Sequence, residues 1–272
     1  MQLKNCTSLR SLPNLPVDIV EIWGDGCTSL EMLPDLQKPN SFCKGELYLS
    51  NCCKLADNQD LIYIFLAVIR EHFQGFSRPG IYDDQYYNWR YEMIIPGSVI
   101  PKWFIHQSIG AEVNIKEPSS HLCDDWMGIA ICVVFSSLHD LSLSCQLIAR
   151  GKVMFTSLAS DYEIVGLSDN IWLCYLLPQY YEEEDIKLLN ECEANELSQI
   201  GIKIKILDSN TKVKKCGFRM VYKKDMEELN RTMAQSSNTN ITPYKDLGVL
   251  HHKFDNLVVV VEDNKADRKS VV

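Results

Sequence analysis

The sequence has few of the features that mark a catalytic or a membrane protein. It contains no GxxxxGK[ST] phosphate-binding loop, no GxGxxG between a predicted strand and a helix, and no GxSxG nucleophile motif. The longest uninterrupted apolar run, residues 61–69, is about half as long as a bilayer span requires. These absences argue against a nucleotide-binding site, a common serine hydrolase and a membrane-spanning helix.

Positive charge is also scarce. The chain of 272 residues has 27 lysines and arginines against 36 aspartates and glutamates, which gives a net charge of −9. A nucleic acid would be repelled by this net charge unless basic residues were concentrated on one face of the protein. The one dense basic run, residues 203–224, alternates with apolar residues as a strand face does, so we expect no nucleic-acid partner.

The cysteine pattern indicates reduced thiols and no metal centre. Eleven cysteines are scattered among apolar segments, and no adjacent pair of CxxC motifs occurs. This use of cysteine is typical of a cytoplasmic or nuclear protein, and the start MQLKNCTSLR does not resemble a signal peptide. The nearest approach to a metal site is a cluster that more often forms a polar loop: His121, Cys123, Asp124 and Asp125. We expect no metal and no cofactor.

Two repeats open the chain. CTSLRSLPNLP begins at Cys6 and CTSLEMLPDLQ begins at Cys27, and a looser third unit, LYLSNCCKL, begins at Leu47. Leucines at fixed offsets with a period of 21 are typical of leucine-rich repeats, in which each repeat adds one strand to a solenoid. We assign residues 1–56 to such repeats, which are too few to stand alone.

A helix and a loop are predicted next, over residues 57–90. Apolar residues recur there on one helical face and predict a helix that caps the last repeat: Leu61, Phe65, Val68, Ile69 and Phe73. The following segment, QGFSRPGIYDDQYYNWR, has no periodicity and predicts a loop that holds Tyr82, Tyr86, Tyr87 and Trp89. Those rings either fold onto a core or contact a protein partner.

The rest of the chain is rich in short β-type segments. Seven strands are predicted, at residues 91–95, 111–116, 127–135, 143–156, 171–177, 200–207 and 213–222. Strands at this spacing without long intervening helices favour a mainly β fold with a two-sheet antiparallel sandwich at residues 91–235. An acidic helix or a disordered flap is predicted near residues 180–196. Residues 236–272 form a partly mobile extension that includes a possible edge strand, LVVVV.

The stretch IIPGSVIPKWFIHQSIG, residues 94–110, permits two interpretations. Ser98 and His106 are the residue types of a nucleophile and its base, which would suggest a hydrolase. The prolines and glycines instead favour a turn between strands, with Trp103 and Phe104 packed against a core. Sequence spacing alone does not place the serine beside the histidine, so the second interpretation is the simpler one.

This stretch, followed by MGIAICVVF and VKKCGFRMVY, closely resembles the domain that follows the leucine-rich repeats in plant TIR-type nucleotide-binding leucine-rich-repeat immune receptors. That domain is known as the C-terminal jelly-roll and immunoglobulin-like domain. With the repeats, the resemblance extends from about residue 1 to Tyr222. Eleven residues match the family motif: Pro96, Gly97, Ser98, Ile100, Pro101, Trp103, Phe104, His106, Gln107, Ser108 and Gly110. Val99 and Lys102 stand where the family usually has acidic residues, and Ile105 replaces a small polar one.

The resemblance implies a non-enzymatic recognition module of the last repeats, a capping helix and a jelly-roll or immunoglobulin-like sandwich. In this family the solenoid and the sandwich bind a pathogen effector, and that contact helps control activation of the receptor. The other implied partner is the rest of the receptor, with upstream repeats, a nucleotide-binding domain and a TIR domain. Any catalysis would belong to those upstream parts.

Aromatic and charged loop residues are the candidates for contact with a partner, because such side chains often supply binding hot spots. They are Tyr82, Tyr86, Tyr87, Trp89, His121, Asp124, Asp125, Tyr180 and Tyr181. The same exposed aromatics suggest an alternative, a carbohydrate-binding sandwich.

Overall fold

A computed structural model of the chain describes residues 1–12, 21–33, 46–55, 60–73, 90–115, 125–138, 141–149, 151–162, 168–193, 200–227, 229 and 231. The chain divides into two compact units, Met1–Met226 and Glu227–Val272. All the elements named below lie in the first unit. Among the helices described, none is both long enough and apolar enough to cross a bilayer.

The repeats form a short parallel ladder. Strand β1, Glu21–Trp23, pairs in parallel with β2, Glu46–Tyr48. Two isolated parallel bridges, Gln2–Trp23 and Ser11–Met32, join the first repeat to the second. One short strand in each repeat is the arrangement that the 21-residue period predicts.

The same turn follows each repeat strand. Three residues with positive φ stand directly before the repeat cysteine, Asn5, Gly26 and Asn51. Glycine and asparagine are the residues that adopt this conformation most readily, which explains their place in the repeat. The thiols of Cys27 and Cys52 donate hydrogen bonds to the carbonyls of Leu3 and Gly24, at 3.0 and 3.1 Å. These cysteines therefore bind one repeat to the one before it.

A seven-stranded sheet contains both the repeat strands and half of the sandwich. Its strand order is β1-β2-β3-β9-β6-β11-β4. The five strands after the repeats are β3 Arg90–Pro96, β4 His106–Ile109, β6 Trp126–Ser137, β9 Asn170–Leu176 and β11 Thr211–Tyr222. From β3 onward every pairing in this sheet is antiparallel.

The second sheet has four antiparallel strands in the order β5-β10-β7-β8. They are β5 Glu112–Ile115, β7 Leu141–Ala149, β8 Lys152–Tyr162 and β10 Ile200–Ile206. The predicted two-sheet sandwich is thus confirmed. The single strand predicted at 143–156 is instead the hairpin β7–β8, because the chain turns near Gly151, whose φ is +72°.

The core lies between the two sheets. Alternate residues of β6, β9 and β11 face alternate residues of β7 and β10, as the period of two in a strand requires. Large contributors from the first sheet include Trp172, Phe135 and Phe218, and all three are fully buried. Cys145 and Cys174 belong to this core, which explains why these cysteines occur in apolar runs.

Helix α1, Asp60–Phe73, packs on the outer face of the seven-stranded sheet. Its Phe65 ring lies 6.0 Å from Tyr91 of β3 and 6.4 Å from Phe104. Residues on almost every side of this helix are buried, as expected for a helix with so continuous an apolar sequence. The contacts of Phe65 are with the sandwich, and a capping role over the last repeat stays a prediction.

Helix α2, Glu183–Glu193, is the acidic segment between β9 and β10. Three carboxylates occupy its first turn, where they interact favourably with the helix dipole. Leu189 is buried in the sandwich core and anchors the helix there. Of the two interpretations of this segment, the helix is therefore confirmed.

Two glycines with positive φ provide a test of this packing. A Cβ at Gly128 would lie 2.2 Å from the carbonyl oxygen of Leu176 on β9, whereas one at Gly151 would meet nothing within 4 Å. Gly151→Ala should therefore cost about 1 kcal/mol of unfolding free energy from backbone strain alone. Gly128→Ala should cost at least about 3 kcal/mol, because backbone atoms cannot yield to the new methyl group. Urea unfolding of both variants measures the difference, and equal losses would contradict the close β6–β9 approach.

Candidate partner interface at the junction of repeats and sandwich

The strand face of the repeats continues directly into the sandwich. Strand β2 pairs in parallel with β3, with Leu47 opposite Met93 and Tyr48 opposite Ile94. The backbone N–H of Leu49 donates to the carbonyl of Ile94 at 2.7 Å. A shared backbone ladder holds the two parts at a fixed angle, because its hydrogen bonds are directional.

Asn170 closes the last repeat on its turn side. In the first two repeats the N–H groups of Asn5 and Gly26 donate to carbonyls of the next repeat. In the third repeat the N–H of Asn51 donates to the side-chain oxygen of Asn170 on β9, at 3.4 Å. Asn170 is fully buried and donates in turn to the carbonyl of Ser168. A sandwich side chain thus takes the place of the next repeat's backbone.

Three aromatic rings form a column across the junction. Trp23 stacks on Tyr48 with ring centroids 4.2 Å apart, and Tyr48 stacks on Tyr162 of β8 at 4.8 Å. The ammonium group of Lys4 lies 5.2 Å from the centre of the Trp23 ring. This aromatic column, Trp23, Tyr48 and Tyr162, connects the repeats to both sheets of the sandwich.

Three glutamates form a row beside the aromatic column. Glu21 is opposite Glu46 in the ladder, and the β2–β3 register makes Glu46 the neighbour of Glu92. Each receives a hydrogen bond from one ring of the column, in the pairs Trp23–Glu21 at 3.1 Å, Tyr48–Glu46 at 2.6 Å and Tyr162–Glu92 at 2.6 Å. Like charges on neighbouring strands repel, and these charge-assisted bonds offset that cost.

Glu92 is the buried end of this carboxylate row. Its side chain is 0% exposed, and one of its oxygens lies 3.0 Å from the Nε atom of Arg90. Burial raises the pKa of Glu92 to about 7, although the Arg90 guanidinium opposes this shift. The negative charge of Glu46 raises the pKa further. Glu92 therefore titrates near neutral pH at the point where the repeats meet the sandwich.

The accessible part of this face is suited to a protein partner. Trp23, Glu21 and Glu46 are half-buried, so each keeps surface for contact. Aromatic rings and carboxylates side by side favour cationic and aromatic groups, and partly buried tryptophans often dominate binding energy. Among the described residues, no group of three or more histidine, cysteine or acidic side chains is placed to hold a metal ion.

The sequence did not predict this junction face. The pattern Glu-x-aromatic occurs in both repeat strands, as EIW and ELY, and was the available signal for Trp23 and Tyr48. Tyr162 carries no such signal, because its contact arises only when the second sheet packs on the first. The place of Glu92 in the row likewise depends on the β2–β3 register.

The signature loop, residues 97–105, crosses the outer face of β11. Phe104 is fully buried, and its N–H donates to the carbonyl of Pro101 at 3.0 Å. The amide of Gln107 donates to the carbonyl of Phe104 at 2.8 Å. At the start of the loop, Gly97 donates to the carbonyl of Asp169, next to the buried Pro96. These contacts give the motif a role in forming the fold.

The remaining signature residues are placed by β11. The carbonyl of Ser98 accepts a hydrogen bond from the ammonium group of Lys215, and Ser98 itself is exposed. The His106 ring lies 5.4 Å from the Phe218 ring. Gly110, with φ +91°, donates to a carbonyl of β11 directly after β4 ends. The backbone bond of Ser98 and the ring packing of His106 thus give both residues a structural role.

Trp103 is less buried than we expected from the sequence. Its ring is half-buried and meets the Phe104 ring edge-on at 5.2 Å. The guanidinium of Arg219 lies 4.8 Å from the Trp103 ring centre and donates to the Trp103 carbonyl. Arg219 also forms a buried ion pair with Asp225 at 2.7 Å. Trp103 is held by a cation, and Phe104 is the core residue of the pair.

The predicted partner contacts are only partly placed by the structure. Six of them lie outside the described residues, Tyr82, Tyr86, Tyr87, Trp89, His121 and Asp124. Asp125 is exposed directly before β6, and Tyr180 ends a short 3-10 helix, Pro178–Tyr180. Tyr181 is buried, with its ring 5.4 Å from Trp126. Its position makes it a packing residue, so we remove it from the candidate contacts.

Comparison with known proteins agrees with this architecture. Residues 95–227 match the family model of the C-JID domain. The Arabidopsis thaliana disease resistance protein RPS4 is 25% identical over 268 residues, which cover 84% of this chain and 20% of RPS4. The disease resistance-like protein DSC1 of the same plant is 31% identical over 144 residues, 49% of this chain and 11% of DSC1.

These matches define the class of the protein: it is a C-terminal module of a plant immune receptor. More particularly, it carries a C-JID domain after leucine-rich repeats and belongs to the TIR-NB-LRR type of disease resistance protein. The resemblance noted in the sequence is thereby confirmed. The chain spans about a fifth of the length of RPS4.

The raised pKa of Glu92 predicts how stability varies with pH. A carboxyl group whose pKa rises on folding contributes stability below its unfolded pKa, near 4.5, and this contribution is lost as the pH rises through about 7. Glu92→Gln should remove this loss, which is on the order of 3 kcal/mol for a pKa shift from 4.5 to about 7. Unfolding free energies measured from pH 4.5 to 8 test it, with Glu112→Gln as the control because the Glu112 pKa is lowered. An unchanged pH profile in Glu92→Gln would contradict the assignment.

The signature aromatics should differ in their effect on stability. Phe104→Ala empties a fully buried site and is expected to cost about 3–5 kcal/mol of unfolding free energy. Trp103→Ala should cost less, about 1–2 kcal/mol, because its ring is half-buried and loses mainly the Arg219 contact. Chemical denaturation of the two variants gives the comparison. A larger loss for Trp103→Ala would show that the tryptophan is the main core residue.

Proposed function

We propose that this module recognises a pathogen effector protein and, through that contact, helps control activation of the receptor that carries it. The single observation that supports this most is the unbroken sheet from the repeats into the C-JID domain, with the aromatic column and the carboxylate row on one face. Such a face combines a rigid framework with the residue types that dominate protein interfaces.

The proposal includes a non-enzymatic role for this chain. Two signature residues resemble a nucleophile and a base, and both have structural contacts: the Ser98 carbonyl accepts a hydrogen bond from Lys215, and the His106 ring lies near the Phe218 ring. The other partner we propose is the remainder of the receptor, since the relatives are about five times as long as this chain. Further upstream repeats would extend the β1–β2 ladder and its exposed face.

We place the receptor in the cytoplasm, the nucleus or both. Eight of the cysteines in the described part of the chain are thiols outside any disulfide, and six of these eight are buried. Burial raises the pKa of the Cys52 thiol to about 12 and keeps it in its unreactive neutral form. Such cysteine usage fits a reducing compartment.

A carbohydrate-binding sandwich is the alternative that the sequence left open. It depends on aromatic rings that are free to stack on a sugar. The rings of Trp23 and Tyr48 stack on each other, and the Lys4 ammonium lies over Trp23. A glycan array separates the two functions, because saturable sugar binding that Trp23→Ala abolishes would favour the alternative.

The junction face provides the direct test of effector recognition. The complete receptor is co-expressed in leaves with a panel of pathogen effectors, and the cell-death response identifies an effector that it recognises. Trp23→Ala should then reduce effector binding at least about tenfold, because its half-buried ring keeps surface for contact at one end of the aromatic column.

Val153→Ala on β8 is the matched control, since Val153 is 52% exposed and lies on the other sheet. It should leave the response and the measured affinity unchanged. Normal recognition in Trp23→Ala, with expression equal to that of the parent, would remove the junction face from the proposal. Full recognition after deletion of residues 91–222 would end the proposal for the sandwich as a whole.

A further inference from the structure

Strand β4 lies at the open edge of the seven-stranded sheet, at the far end from the repeats. Among the described strands it pairs only with β11 in that sheet, from His106 opposite Phe218 to Ile109 opposite Lys215. The edge of a sheet leaves backbone N–H and C=O groups available for pairing with another chain. Natural edge strands are usually protected by charged side chains, proline or a covering segment.

Two outward side chains at this edge, Ile105 and Ile109, are apolar, and the exposed Gln107 lies between them. Burial alternates along β4, and the outward positions include Ile109, which is 88% exposed. Ile105 lies four residues before Ile109, directly before β4 begins, and is 56% exposed. Val99 of the signature loop is 69% exposed, and the carbonyl of the residue before it accepts a hydrogen bond from Lys215, which lies opposite Ile109. Clustered exposed apolar residues mark interaction sites more often than isolated ones do.

Two lysines flank these apolar residues. Lys102 is exposed in the loop between Val99 and Ile105, and the ammonium group of Lys215 bonds to a carbonyl rather than to a carboxylate. Two nearby acidic groups in the described part of the chain are paired with other lysines, as Lys214–Asp169 and Lys203–Glu112. The described residues at this edge are therefore locally positive, in a chain whose net charge is −9.

We infer that the β4 edge patch, defined as Val99, Lys102, Ile105, Ile109 and Lys215, docks an extended acidic segment of another protein. The segment would add a strand beside β4, place alternate apolar side chains against Ile105 and Ile109, and set carboxylates near the lysines. Backbone pairing supplies affinity in this binding mode, and the alternating side chains supply specificity. The site is separate from the junction face and does not depend on effector binding there.

A second copy of this chain is a poorer occupant. Two β4 strands pairing edge to edge would bring Lys102 and Lys215 of both copies to one short seam. Like charges at that distance repel, and β4 has only four residues with which to offset the repulsion. Charge complementarity thus selects an acidic partner.

Synthetic peptides test the inference on the intact chain. One is a labelled decapeptide of alternating valine and glutamate, and its control has the same composition with the valines contiguous. A third peptide replaces each glutamate with lysine. We expect saturable anisotropy binding for the alternating acidic peptide only, weakened by added salt because the contact is partly electrostatic.

Substitutions then locate the site. Val99→Asp combined with Ile109→Asp should weaken binding at least about tenfold, since both changes remove apolar contact and add repulsion. Val153→Asp, at an exposed position on the other sheet, should leave the affinity within about twofold. Trp23→Ala should also leave the peptide affinity unchanged. The peptide experiment can therefore contradict this inference without contradicting effector recognition, and the effector test can do the reverse. Near-ultraviolet circular dichroism establishes that each variant is folded.

Amide hydrogen exchange gives a second measurement that does not depend on variants. The bound peptide should slow exchange at residues 106–109 and leave β8, the edge of the other sheet, unchanged. Four results overturn the inference: no binding, equal binding of the two isomeric peptides, an unaltered affinity in the double variant, or protection at β8 instead. A concentration-dependent dimer that Ile109→Asp abolishes would also overturn it, because the occupant would then be a second copy.

Discussion

The parallel pairing of β2 with β3 is the contact on which the rest of this structure depends. Two complete repeats bury too little apolar surface to be stable alone, and an open solenoid end would expose a row of unpaired backbone groups. Pairing with β3 satisfies those groups, from the Tyr48–Ile94 register to the Leu49–Ile94 hydrogen bond. Because β3 is also paired to β9, the repeats and the sandwich have one continuous backbone ladder.

This pairing has an electrostatic cost that explains the unusual residues around it. Parallel register places Glu21, Glu46 and Glu92 side by side, and the sandwich buries the last of them completely. A buried carboxylate is tolerated only with partners, which here are the Arg90 guanidinium and the Tyr162 hydroxyl. Tyr162 belongs to the second sheet, so the same hydrogen bond that stabilises Glu92 also ties the two sheets together at the junction.

Local patterns predicted much of the fold but little of the candidate site. The 21-residue period identified the repeats, and alternation identified most sandwich strands, because both signals come from residues close in sequence. The short polar strand β4 has neither signal, and the β7–β8 turn depends on the conformation of one glycine, Gly151. The aromatic column required contacts between residues as distant as Trp23 and Tyr162, which no local pattern encodes. The sequence suggested Tyr181 as a partner contact, whereas its ring is buried beside Trp126, because an aromatic residue next to an acidic run can equally face the core.

The position of the two proposed surfaces has a consequence for how the module could act. The junction face begins at β1 and the β4 edge patch ends the same sheet, with five strands between them. At a strand spacing of about 4.8 Å the two edges are roughly 30 Å apart, so two protein partners can bind without competing for space. A continuous ladder joins the surfaces, and its hydrogen bonds resist rotation of the repeats against the sandwich. Movement imposed at one end must therefore either displace the whole sheet or break a pairing within it, and the β2–β3 pairing has the shortest register in this sheet, with two residue pairs.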